Sequence, residues 1–213
     1  QNGEKASMLI GSKMQLFTDT GSLDSKVTFK SSDENILKVD ANGLVTGVKE
    51  GTAKITATYE QYKKTDIIEI TVNKLVESEK IEIEDYKESN GVISNFAREI
   101  SAEEFAKHIK VTGDLKVKVN AEKIVGTGTK IEIYRGDNCI QTYICKLYGD
   151  INGDGKISAI DYMLVMNKIM EVKNITGDIE KDVADINEDN KISAIDYMMI
   201  MNDILDVREI SAR

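Results

Sequence analysis

A stretch of this sequence occurs twice without a gap, and that constrains the fold more than anything else in the chain. Asp150 to Val172 aligns on Asp185 to Val207 at an offset of 35 residues, with 16 of 23 positions identical. Eight of these are contiguous, Lys156-Ile-Ser-Ala-Ile-Asp-Tyr-Met163 against Lys191-Ile-Ser-Ala-Ile-Asp-Tyr-Met198. Repeats of this kind bury their apolar faces by packing on each other. Each copy opens with D-x-N-x-D (Asp150, Asn152, Asp154; Asp185, Asn187, Asp189) and places a further Asp eleven residues after the first, at Asp161 and Asp196. Acidic residues concentrate here: 14 Asp and Glu against 7 Lys and Arg lie between Gly149 and Arg213, whereas the first 148 residues carry 23 and 21. With a formal net charge of −9, the chain has no basic patch to make nucleic acid its default partner.

The carboxylate spacing matches a 12-residue calcium loop of EF-hand type. Oxygen ligands at positions 1, 3 and 5, a backbone carbonyl at 7 and a carboxylate at 12 surround a hard cation that takes about six to eight oxygens at roughly 2.3–2.6 Å. The expected ligands are Asp150, Asn152, Asp154, the Lys156 carbonyl and Asp161 in one loop, and Asp185, Asn187, Asp189, the Lys191 carbonyl and Asp196 in the other. Ser158 and Ser193 fall at position 9, where a water often serves. Position 6 needs a positive φ and holds Gly155 or Asn190, residue types that accept it. Ile157 and Ile192, at position 8, are placed to pair across the loops as a short strand. Two Ca²⁺ would offset the local negative charge, so binding and folding are expected to be coupled in this third.

Two features depart from an ordinary EF-hand. Position 12 is Asp in place of Glu, and the first loop follows a strand-like run, Cys139 to Tyr148, so that only the exiting helix is expected. The pattern G-D-I-N-G-D-G-K-I-S-A-I-D-Y-M, repeated as A-D-I-N-E-D-N-K-I-S-A-I-D-Y-M, resembles a dockerin. Dockerins are duplicated calcium loop–helix modules that attach bacterial extracellular proteins, typically polysaccharide-degrading enzymes, to cohesin modules on a scaffold or cell surface. The resemblance covers about residues 149–208.

The exiting helices are expected from Ala159 to about Val172 and from Ala194 onward. Tyr162, Val165 and Ile169 form one stripe, and Tyr197, Ile200 and Ile204 its counterpart; these should form the module's core. Ala159, Ile160, Met163, Asn167 and Met170 occupy a different face, repeated as Ala194, Ile195, Met198, Asn202 and Leu205. An exposed apolar face marks a partner site, and the dockerin resemblance implies cohesin contact through loop positions 10 and 11 and the helix positions after them. Some dockerins carry a Ser-Thr pair there. Here the pairs are Ala159-Ile160 and Ala194-Ile195, which implies a hydrophobic contact. The pseudo-twofold symmetry of the repeat implies two binding orientations of similar affinity.

Upstream, residues 6–73 show short alternating runs broken by turns about every 8–12 residues, a β-sandwich rhythm, with a hairpin signal at Asn42-Gly43. The stretch from Val27 to Ala57 is similar to bacterial Ig-like domains of group 2, with Phe29 where many members have Trp. Residues 75–148 read as a small α+β domain. Strands are expected at 80–84, 115–119, 129–134 and 139–148, and a helix from Ala102 to about Ile109 behind the Ser101-x-x-Glu104 capping box and an Ile100/Phe105 staple. Its place before a dockerin resembles that of the X modules accompanying some dockerins. The expected organisation is therefore multidomain: an all-β Ig-like sandwich (1–74), an X-module-like α+β domain (75–148) and an all-α dockerin with two EF-hand-like calcium loops (149–213). The last two should share an interface, since no linker composition separates them.

No residues form a catalytic constellation. His108 is the only His and has no Cys or His nearby for a zinc site. Cys139 and Cys145 lie on one predicted strand about 20 Å apart, beyond the reach of an intrachain disulfide. No apolar run reaches the roughly 18 residues of a membrane span. The chain begins at Gln1 without a leader pattern and reads as a piece of a longer protein, a start that carries no information about compartment. Two functions remain: an extracellular, non-catalytic assembly fragment in which a calcium-loaded dockerin binds a cohesin, or a surface adhesion fragment in which the Ig-like domain binds glycan or protein and calcium only stiffens the end. A panel of cohesins, with calcium and with chelator, separates them.

Overall fold

The alternating runs of the first third become two facing sheets. The structure is a computed structural model describing residues 4–19, 26–61, 63–208 and 210. Seven strands are found among the described residues of this part: β1 (Glu4–Leu9), β2 (Lys13–Gln15), β3 (Val27–Ser31), β4 (Leu37–Val39), β5 (Leu44–Gly47), β6 (Gly51–Tyr59) and β7 (Lys64–Asn73). They form sheets in the order β1-β7-β6-β3 and β2-β5-β4. Only the β1–β7 pairing among them is parallel. The period-2 pattern of β6 turns Ala53, Ile55 and Ala57 inward, where Ala53 and Ile55 meet Met8, Leu37, Val45, Ile70 and Val72 in one apolar core.

The middle stretch contains β8 (Ile81–Ile83), β9 (Lys87–Ser89), β10 (Val92–Ser94), α1 (Ala102–Ala106), β11 (Ile109–Val111), β12 (Leu115–Val119), β13 (Lys130–Arg135) and β14 (Asn138–Cys145). Its main sheet runs β12-β13-β14-β10-β9, and β8 pairs with β11. Ser101 caps α1 by accepting from the Glu104 amide at 3.1 Å. The helix stops at Ala106, short of the expected Ile109, because Ile109 pairs with Ile83 across β11 and β8 and buries its side chain. Phe105 is fully buried against Phe96, edge-to-face at 5.1 Å, and against Tyr86, stacked at 4.8 Å. His108 lies past the helix end, where its Nδ1 faces the Asp85 carboxylate at 3.1 Å. Cys139 and Cys145 share β14 as free thiols.

The repeated segment supplies α2 (Ala159–Ile169) and α4 (Ala194–Ile204), with α3 (Asp178–Ala184) between them. The second loop therefore has an entering helix, which the sequence reading did not anticipate. Only Val183 and Ala184 of α3 are buried, and its N-cap is Gly177 without a side-chain bond, so it has neither apolar period nor cap signal. Both repeat helices end alike. Glu171 and Asp206 adopt positive φ, and the Val172 and Val207 amides reach back to the Asn167 and Asn202 carbonyls at 2.9 Å. The first helix thus ends at Ile169, before the expected Val172. Val165 and Ile200 are fully buried with Ile151, Val183, Ala184 and Ile186. Ile169, expected in the core stripe, is exposed. Among the described residues Ile157 and Ile192 form no β-bridge with each other; they pack against the core as side chains.

These three apolar clusters adjoin one another through hydrogen bonds. The Ser7 amide donates to Thr142 Oγ1 and the Leu9 amide to Gln141 Oε1, seating β1 on β14. The Asp178 amide donates to the Thr18 carbonyl at 2.8 Å, linking α3 to the sandwich. No helix among the described residues is long and apolar enough to cross a membrane.

Candidate functional site

The two acidic loops fold by one local logic. Gly155 and Asn190, at position 6, have φ of 77° and 64°, the region expected for them. In each loop the side chain at position 12 starts the following helix. Asp161 Oδ2 accepts from the Ser158 amide at 3.0 Å, and Asp196 Oδ2 from the Ser193 amide at 2.9 Å. The Ser hydroxyls in turn accept from the Ile160 and Ile195 amides. A reciprocal cap of this sort holds the carboxylate at the positive end of a helix. The other oxygen folds the loop over it: Asp161 Oδ1 accepts from the Ile151 and Asn152 amides, and Asp196 Oδ1 from the Ile186 and Asn187 amides. Asp154 and Asp189 accept from the Lys156 and Lys191 amides at 2.9 Å. Asp150, Asn152, Asp154, Lys156 and Asp161 are thus wrapped into one turn, and Asp185, Asn187, Asp189, Lys191 and Asp196 into the other.

Among the described residues no three acidic, His or Cys side chains converge as a self-sufficient metal cluster. The donor set nonetheless fits a hard cation. It is all oxygen, with an Asn amide and a backbone carbonyl completing each set of three carboxylates. Asp150 is fully buried, and its Oδ1 has no hydrogen-bond partner. Burial pushes its carboxyl up to about 6 against the pull of the Thr127 and Gly155 amides, and the Asp161 and Asp154 carboxylates add to the rise. Burial likewise raises Asp185. A buried, unpaired carboxylate among other carboxylates is costly by itself and is stabilised by a nearby positive charge.

The loops differ in their surroundings. The first is enclosed by the middle stretch: the Thr127 amide donates to Asp150 Oδ2 at 2.8 Å, and the Glu99 amide to the Gly155 carbonyl at 2.8 Å. Gly126 is there because nothing larger fits. A Cβ on it would lie 2.5 Å from the Gly155 nitrogen and 2.7 Å from Asp150 Oδ2. Farther along the interface, Arg98 binds the buried Asp203 and, at 3.1 Å, Asp206. The Lys146 ammonium meets Asp182 at 2.9 Å, and the Tyr148 hydroxyl donates to Glu188. None of these contacts was anticipated from the sequence. Backbone amides have no sequence signature, and Arg98 and Lys146 resemble any surface cation. The Gly126-Thr127-Gly128 run is the one available signal, and by itself such a run indicates a turn between strands and not a calcium-loop contact.

The second helical face is presented to solvent almost identically in both repeats. Ile160 and Ile195 are 57% and 56% exposed, Met163 and Met198 51% and 53%, and Met170 and Leu205 63% and 62%. Ala159 and Ala194 are also exposed, while Asn167 and Asn202 are partly buried.

This combination of a β-sandwich with a doubled acidic loop–helix unit defines a modular protein of two known domain types. Residues 148–205 match the family model described as dockerin type I domain, and residues 4–69 that of the bacterial Ig-like domain (group 2). Both are non-catalytic. A dockerin is a cohesin-binding assembly domain and a calcium binder, and the pair points to an extracellular or cell-surface protein. Among curated proteins, the chain is 56% identical over 43 residues to an alpha-L-arabinofuranosidase of Bifidobacterium longum subsp. longum, covering 20% of this chain and 4% of that protein. It is 39% identical over 72 residues to a 3-O-alpha-D-galactosyl-alpha-L-arabinofuranosidase of the same subspecies, covering 32% of this chain and 6% of that protein. The chain therefore spans only a small part of the length of either relative. Among solved structures, an EHEC O157:H7 intimin mutant is 28% identical, with 30% of this chain and 32% of that chain covered and a TM-score of 0.22. Domains 5-6 of the S-layer protein SbsC are 15% identical over 68% of this chain and 93% of that one, with a TM-score of 0.30. Likenesses this loose carry no functional argument.

Proposed function

We propose that the chain is a non-catalytic assembly fragment. Residues 149–213 act as a dockerin that holds two Ca²⁺ and offers either helical face to a cohesin. Residues 1–74 and an X-module-like unit at 75–148 serve as spacer and stabiliser. The ions would be held by Asp150, Asn152, Asp154, the Lys156 carbonyl and Asp161, and by Asp185, Asn187, Asp189, the Lys191 carbonyl and Asp196. Bound calcium supplies the positive charge these carboxylates lack. The chain's own part is to fix both helices by the Ser158/Asp161 and Ser193/Asp196 caps, so that Ala159, Ile160, Met163, Asn167 and Met170, or Ala194, Ile195, Met198, Asn202 and Leu205, meet the partner.

The observation that carries this reading is the matched exposure of Ile160, Met163 and Met170 with Ile195, Met198 and Leu205. Single apolar side chains on a surface need no explanation, but a duplicated contiguous apolar face does. The parent protein would act on glycans at or outside the cell surface, a reading supported by the arabinofuranosidase relatives. The test is titration of the full chain against a panel of cohesins that accept an apolar pair, in calcium and then in chelator. Tight binding that disappears with the metal is expected. Failure across the panel would favour adhesion through the Ig-like sandwich.

A further inference from the structure

The two acidic loops are nearly the same in sequence, but only one of them is built into the rest of the molecule. Asp150 has no exposed surface, whereas Asp185 is partly exposed and Asp189 and Asn190 are open to solvent. Asp150 Oδ2 accepts from its own loop at Gly155, 3.0 Å away, and from outside it at Thr127. Among the described residues, the corresponding Asp185 side chain is bonded only from within its loop, by the Asp189 and Asn190 amides. The Thr127 amide is itself held in place, because its hydroxyl donates to the Leu147 carbonyl and accepts from the Leu147 amide. On the other side of the first loop the Glu99 amide bonds the Gly155 carbonyl, and Gly126 packs so close that a Cβ on it would lie 2.6 Å from the Gly153 carbonyl oxygen. The atom left over is Asp150 Oδ1, buried and without a partner. The backbone strain differs as well. Position 4 takes positive φ in both loops, and it is Gly153 in the first but Glu188 in the second, where a side chain raises the cost of that conformation.

We propose that Gly126, Thr127 and Glu99 are positioning residues of the first calcium loop, holding Asp150 and Gly155 in their binding arrangement before the ion arrives. This rests on the calcium reading above and adds that the two sites are unequal. The first loop has already met its ordering cost in the fold and should bind more tightly, since preorganisation raises affinity mainly by removing that cost. The second orders largely on binding. Occupancy of the first loop is also coupled to residues 98–127, so the middle stretch is stabilised by calcium although it contributes no ligand. Outer contacts of this kind typically account for about 10–100-fold in metal affinity.

Calcium titration calorimetry on the full chain, started metal-free, reads this directly. Two resolved steps are expected. Asp185→Asn should remove the weaker one and Asp150→Asn the tighter one. Gly126→Ala should weaken the tighter step about 10–100-fold and leave the other in place. Two equal steps, loss of the tighter step in Asp185→Asn, or an unchanged tighter step in a folded Gly126→Ala would overturn the proposal. A readout without substitution covers a Gly126→Ala chain that fails to fold: the Thr127, Glu99 and Gly155 amide resonances of the unaltered chain should move with the first equivalent of Ca²⁺. Movement only with the second equivalent would count against it. No heat and no resonance shift at millimolar Ca²⁺ would overturn the calcium reading itself.

Discussion

Tyr162 and Tyr197 stand at the same place in the two repeats and stack on each other, ring centroids 4.3 Å apart and planes tilted by 31°, with their hydroxyls hydrogen-bonded. The duplicated segment therefore folds by laying one copy's ring on the other's, and the 35-residue offset is realised as a contact between equivalent positions. A stacked pair contributes about 0.5–1.5 kcal/mol beyond the area it buries.

A double-mutant cycle with Tyr162→Leu and Tyr197→Leu should accordingly give a coupling of about 1 kcal/mol. It is measured by urea unfolding of the full chain at saturating calcium. Additive effects would show that the two rings are only neighbours.

What was readable in the sequence, and what was not, follows from where each contact originates. The Ser158/Asp161 and Ser193/Asp196 caps and the position-6 conformations are local, so residue type and spacing reveal them. The sandwich strands were legible because alternation records burial directly, as in Ala53, Ile55 and Ala57. β9, β10 and α3 were not legible: β9 is exposed throughout, β10 is three residues long, and α3 starts at Gly177 without a side-chain cap, so none carries the alternation or cap that revealed the similarly short β8 and α1. Ile169 was assigned to the core by helical phase alone, but α2 ends there and leaves its side chain exposed. The enclosure of Asp150 depends on the Thr127 amide, 23 residues away, and no pattern of side chains encodes that approach.

Single substitution of the proposed docking face should have little effect. Ile160→Asp or Ile195→Asp leaves the other, equally exposed face intact, so the lost orientation costs about a factor of two in affinity. The double variant should lose cohesin binding while keeping its calcium heats. Surface plasmon resonance against an accepting cohesin checks both outcomes. Complete loss from one single variant would mean that only one orientation is used.

Acid should loosen the junction between the sandwich and the middle stretch through Glu79. Arg135 holds this nearly buried carboxylate by a bidentate contact, 2.6 Å at Nε, and keeps it below the usual carboxylate range. A group depressed in the folded state contributes stability above its unfolded pKa of about 4.3, and that stability is lost as pH falls through the lower folded value. Glu79→Gln should thus cost about 1.5 kcal/mol at pH 7, at the low end for a charged hydrogen bond because Arg135 is one-third exposed. The difference from the parent should shrink as pH falls below the ordinary carboxylate range and vanish once Glu79 is protonated in the folded state as well. Urea unfolding read at the β13 amides tests this, and a difference that persisted unchanged at acid pH would refute it.

Arg98 joins the middle stretch to the end of α4. Its guanidinium binds Asp203, which is almost fully buried, and Asp206 at the exposed rim. The repeat places Lys168 where α4 has Asp203, so this attachment has no counterpart on α2 and ties down one helix only. Arg98→Ala leaves a buried carboxylate that still accepts from the Ile210 amide at 2.7 Å, and it should destabilise the C-terminal unit by roughly 3 kcal/mol. Most of that cost is the stranded charge, not the lost attraction, because desolvating an unpaired ion outweighs what its partner contributed. Adding Asp203→Leu should therefore recover much of the stability without restoring the contact. Thermal unfolding of the single and double variants in calcium distinguishes the two terms: if the double variant is no more stable than Arg98→Ala, the ion pair itself, and not the buried charge, fixes α4 to the middle stretch.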